Sequence, residues 1–141
     1  MRKDLITRLN EGPVLCAEGY LFAMERRGYL QAGAFVPEVV LEHPEVLSQL
    51  HREFIRSGSD VIQAFTYYGH REKLRIIGKE QLLEPLQKNA LQIAKDSREE
   101  FKDLDLMVCG DVANTNIYDP KDKKSNIECQ KMFEEQVAWA K

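Results

Sequence analysis

Three short runs limit what this chain can fold into: VLCA at 14–17, DVIQAF at 60–65 and DLMVC at 105–109. Each is apolar almost throughout rather than alternating, the pattern of strands covered on both faces. The segments between them carry apolar residues at helical period, and strand–helix alternation of this kind feeds a parallel sheet. The expected class is therefore α/β with parallel strands. At 141 residues the chain has the size of one domain with its own core, so 1–141 is expected to form one unit.

The helices have readable limits. Asp4 is placed to cap an opening helix that ends near Gly12-Pro13. Pro37 sits where a first helical turn tolerates it, and Pro44 opens EVLSQLHREFIRSG, closed by Gly58. In that helix Val46, Leu47, Leu50, Phe54 and Ile55 form the inward stripe. A longer helix covers about 79–100, with Leu82, Leu83, Leu86, Ala90, Leu91, Ile93 and Ala94 inside. The last, 126–140, is expected to bury Ile127, Met132, Phe133, Val137 and Ala140. A further strand is expected after it, because three parallel strands alone leave two long open edges. The chain reads as the front portion of something larger.

Several function classes drop out. The net charge is −3, the isoelectric point is near 5.7, and the two signs are mixed along the chain. That is no footprint for nucleic acid, which calls for a basic face. No apolar run approaches the ~18 residues of a membrane span, and MRKDLITRLNEG is too polar for a signal peptide. Cys16, Cys109 and Cys129 are an odd number without CxxC spacing, which predicts free thiols in a reducing, cytoplasmic setting. Cys16 and Cys109 read as small core residues within strands. No metal site is expected among the residues present.

In parallel α/β folds ligands bind at the carboxyl ends of the strands. Those ends hold Glu18-Gly19-Tyr20, then FTYYGH at 65–70, then GDVANTNIYDP at 110–120. Glu18 reads either as a carboxylate offered to an ammonium group or as a solvated loop residue, with Gly19 permitting close backbone approach. Thr66, Tyr67 and Tyr68 end the second run. The tyrosine pair can line a pocket and attract a quaternary ammonium ion, or simply pack. His70 reads as a helix N-terminal residue facing water, and His43 and His51 have no partner spacing. Asp111, Asn114, Thr115 and Asn116 read mainly as turn caps.

The run EGYLFAMERRGYLQAGAFVPEVVLEHPEVLSQLHREFIRSGSDVIQAFTYYGHREKL, continued by GDVANTNIYDP and MFEEQVAWA, resembles the homocysteine S-methyltransferase family, and within it the betaine-using enzymes. The resemblance implies the N-terminal part of a (β/α)8 TIM barrel, with about three βα units present. It implies transfer of a methyl group from betaine, S-methylmethionine or a related donor to the thiolate of homocysteine, giving methionine. It also implies zinc in the full-length enzyme, where the metal keeps that thiol deprotonated. The family's zinc cysteines, a single one and then an adjacent pair, belong to later strands, and none of Cys16, Cys109 or Cys129 matches them. The chain alone is therefore expected to hold no catalytic zinc and to be inactive.

For substrate binding the resemblance points to Glu18, Gly19, Phe35 and Tyr68. The family's aspartate position is Ala17 here, so Glu18 takes the ammonium contact from one residue further along. Phe35 stands where the betaine enzymes carry tryptophan, and Tyr68 falls on the tyrosine at the betaine end. A second reading is a truncated, non-catalytic half-barrel with a partner-binding or regulatory role. Its open edges would need a complementary half or self-association into a homo-oligomer.

Overall fold

The computed structural model describes residues 2–31, 33 and 38–141. Pro37 and Phe35 lie outside the described residues. Helix α1, Leu5–Glu11, starts as expected, with the Asp4 carboxylate accepting a hydrogen bond from the Thr7 amide at 2.8 Å. Its Arg8 guanidinium reaches Asp60 at 3.4 Å and Asp105 at 3.0 Å, which pins the helix beneath the strands at their amino ends. The chain continues through α2 (Tyr20–Arg26), α3 (Val39–Glu42), α4 (Pro44–Arg56), β1 (Val61–Gln63) and α5 (Arg71–Ile76). A 3-10 turn, Glu80–Leu82, leads into α6 (Leu83–Glu99), followed by β2 (Met107–Cys109) and α7 (Lys123–Ala140).

β1 and β2 are parallel, with Val61, Ile62 and Gln63 opposite Met107, Val108 and Cys109. The expected first strand is reduced to one parallel bridge, Cys16 to Val61, closed by Ala17 N–H to the Val61 carbonyl at 2.8 Å. Two strands and a bridge thus stand where three strands were expected. Position explains the difference. The 14–17 segment pairs on one side only, so Leu15 is 59% exposed and Cys16 is exposed rather than a core residue. β1 has neighbours on both sides, and Val61, Ile62, Ala64 and Phe65 are all buried.

Helices α4 and α6 pack on each other and on β1 to make the core. Pro44 begins α4, and the inward stripe holds at Val46, Leu47, Leu50 and Ile55, with Phe54 half-buried. His51 shares that inward side and is fully buried. On α6 the expected leucines and alanines face inward, joined by Gln87 and Ser97. The last helix corrects the reading of its apolar face. α7 buries Ser125, Cys129, Met132 and Gln136, spaced by four, three and four residues, and leaves Ile127, Phe133 and Val137 exposed. α7 packs against α6, and that contact sets its rotation rather than its most apolar stripe. Among the described residues no helix is long and apolar enough to cross a membrane.

Candidate functional site

The carboxyl ends of the three parallel segments converge on a cavity of about 270 Å³, lined by residues from each. Glu18, Gly19, Tyr20 and Phe22 come from the turn into α2, Gln63 and Tyr67 from the end of β1, and Asp111 from the loop after β2. Gly19 caps α2 with φ +83°, a left-handed conformation that strains any residue bearing a Cβ. That turn frees Glu18 from the bridge segment and swings Tyr20 inward. Tyr20 is 3% exposed, and its hydroxyl lies 2.9 Å from His51 Nδ1 in the core. Burial raises the Tyr20 hydroxyl far above its ordinary range and pushes the His51 imidazole down to about 4. Both are neutral at pH 7, and together they anchor the turn that carries Glu18.

A second turn, at 66–70, forms the neighbouring wall. A Cβ on Gly69 would lie 2.9 Å from the Thr66 carbonyl oxygen and 3.0 Å from Gln87 Nε2, so the turn closes only with glycine there. The buried Gln87 of α6 donates to the Gly69 carbonyl and holds the turn from below. Tyr68 takes φ +57°, an uncommon conformation for a non-glycine residue. Its ring stacks on Tyr67 with centroids 4.1 Å apart, and Lys73 Nζ sits 4.2 Å from its centroid. Tyr67 lines the cavity, whereas Tyr68 lies beside it with a cation already on its ring. His70 does not face water. It is buried and caps α5, with Nδ1 accepting from the Lys73 amide at 3.4 Å, and burial lowers its basicity.

Asp111 brings a second carboxylate to the cavity. Burial first, and then the charge of Glu18, raises its pKa above the usual carboxylate range, so the two acids feel each other. Cys109 is likewise raised, chiefly by burial and then by Cys16 and Asp111, which keeps it a thiol. In the same loop Thr115 is buried, with Oγ1 3.0 Å from Cys129 Sγ on α7. Of the residues expected at the site, Glu18 and Gly19 meet in the cavity, Tyr68 stands next to it, and Phe35 lies outside the described residues. Gln63 was missed, although a lone amide inside VIQAF was a visible signal. Asp111 was read as a turn cap, because nothing local shows it facing Glu18.

The pocket at the strand ends brings two acids together with an aromatic wall. The family model described as homocysteine S-methyltransferase matches residues 19–141. This chain belongs to the homocysteine S-methyltransferase family. It is 39% identical to betaine–homocysteine S-methyltransferase 1 of Bos taurus over 97% of its own length and 34% of that protein. The corresponding protein of Danio rerio is 40% identical, over 96% of this chain and 34% of the relative. The chain thus spans about a third of these curated relatives. Among solved structures, the metallated form of the homocysteine methyltransferase MmuM from Escherichia coli superposes with a TM-score of 0.76 at 20% identity. That match covers 96% of this chain and 52% of the other and bears on the fold.

The family implies zinc, and the donor set here does not fit one. Among the described residues no three of His, Cys, Asp and Glu come together as a metal site. Cys129 is hydrogen-bonded in the core, Cys16 is exposed at the sheet edge, and Cys109 is held as a thiol.

Proposed function

We propose that this chain is the N-terminal portion of a (β/α)8 barrel that transfers a methyl group from betaine or a related donor to the thiolate of homocysteine, giving methionine. The carrying observation is the cavity at the strand ends, where Glu18, Gly19, Tyr67 and Asp111 meet in a chain of this family. Acids suit the ammonium of the amino acid, and the electron-rich face of Tyr67 suits a trimethylammonium donor, with Tyr68 beside it and Phe35 the family's further aromatic position. Zinc for the thiolate would be held by residues outside this chain, so the chain alone is expected to be inactive. Its free thiols are in keeping with the cytoplasm.

The test has two parts. The reading frame is followed past the codon for Lys141, where a lone cysteine and a later Cys-Cys pair are expected. The full-length protein is then assayed for methyl transfer to homocysteine from labelled betaine and from S-methylmethionine. Absence of transfer from either donor, with zinc supplied, refutes the reading. The exposed Phe133 and Val137 of α7 beside Tyr118 favour a second reading, a half-barrel that binds a partner or itself. A chain that sediments as a folded monomer at micromolar concentration counts against it.

A further inference from the structure

The loop after β2 is locked to the end of β1 by one hydroxyl. Thr66 is 3% exposed; its Oγ1 donates to the Asp111 carbonyl at 2.7 Å and accepts from the Asp111 amide at 2.9 Å. This two-way bond fixes both backbone polar groups of one residue, and so the point from which the Asp111 side chain enters the cavity. Glu18 enters the same cavity from the α2 turn. Asp111 is half-buried and Glu18 exposed, and a cation that joins the two relieves the repulsion the half-buried acid feels from its neighbour. Among the described residues lining that cavity there is no lysine, arginine or histidine to do so.

We propose that Asp111 is a specificity-determining residue that shares the ammonium group of the amino-acid substrate with Glu18, and that Thr66 is the positioning residue that holds it there. The inference rests on the homocysteine reading above and adds a residue to it. An ammonium offers three N–H donors, which two carboxylates converging from different loops can accept together. The Thr66 lock means that this geometry is present before the ligand arrives, which lowers the ordering cost of binding.

The test compares two ligands on the full-length protein by titration calorimetry: homocysteine and 4-sulfanylbutanoate, which lacks only the amino group. Wild type should prefer homocysteine. Asp111→Asn should weaken homocysteine about tenfold or more, the scale of one lost charged hydrogen bond, and leave the analogue unchanged. Thr66→Ala should erode the same preference, and Thr66→Ser, which keeps the hydroxyl, should restore it. An Asp111→Asn variant with the wild-type preference overturns the proposal and leaves the homocysteine reading standing. Wild type that does not distinguish the two ligands overturns both. Loss of both ligands in Asp111→Asn and in Asp111→Ser also overturns it, since Asp111 would then serve the fold rather than the ammonium.

Discussion

Lowering the pH from 7 to 5 should cost this fold about 2 kcal/mol through one side chain, His51. The imidazole is fully buried on α4 against Tyr20, and burial takes its pKa from the ordinary 6.5 to about 4. A lowered folded pKa means that the unfolded chain takes up a proton the folded chain refuses. Stability from this group is therefore complete above about pH 6.5 and falls as the pH drops toward 4. Over the whole window the loss approaches about 3.4 kcal/mol, of which a little over half falls between pH 7 and pH 5. The assay is urea unfolding at both pH values for wild type and His51→Asn. With a slope of about 2 kcal/mol per molar urea, the wild-type midpoint should fall about 1 M further than the variant's. Contributions from groups common to both proteins cancel in the difference. Equal pH responses in the two proteins would show that His51 does not titrate as an isolated buried base.

Leu50→Ala, in the contact between α4 and the core, should lower stability by about 2–5 kcal/mol in the same urea assay, because the site is closed on every side. Gly69→Ala should cost roughly 1–3 kcal/mol, since its Cβ meets backbone at Thr66 that cannot swing away, and thermal unfolding would show it. Tyr68→Ala should raise the KM for the methyl donor more than that for homocysteine in steady-state assays of the full-length protein; an unchanged donor KM removes Tyr68 from the site. Glu18→Gln should weaken homocysteine binding while leaving the urea midpoint near wild type, because Glu18 is exposed.

Much of the architecture was legible along the chain. The Asp4 cap, the Pro44 start, the α4 stripe and the two parallel strands follow from periodicity and capping, which act over a few residues and leave their mark in order. The family was legible too, because its motifs are long and contiguous. Glu18 and Gly19 could be singled out because a charge and a glycine interrupt an apolar run at a strand end.

Other features were decided only in three dimensions. Leu15 and Cys16 look like core, yet their segment has a partner on one side only and stays exposed. α7 turned away from its most apolar stripe because α6 met it along Ser125, Cys129, Met132 and Gln136. His51 and Tyr20 are 31 residues apart, and Thr66 and Asp111 are 45 apart. No local pattern announces either bond. Burial and hydrogen-bond partners depend on which surfaces meet, so the chain by itself determined its helices, its parallel strands and its family. The tertiary structure decided which acids and rings share a pocket, because only packing brings distant loops within hydrogen-bonding reach.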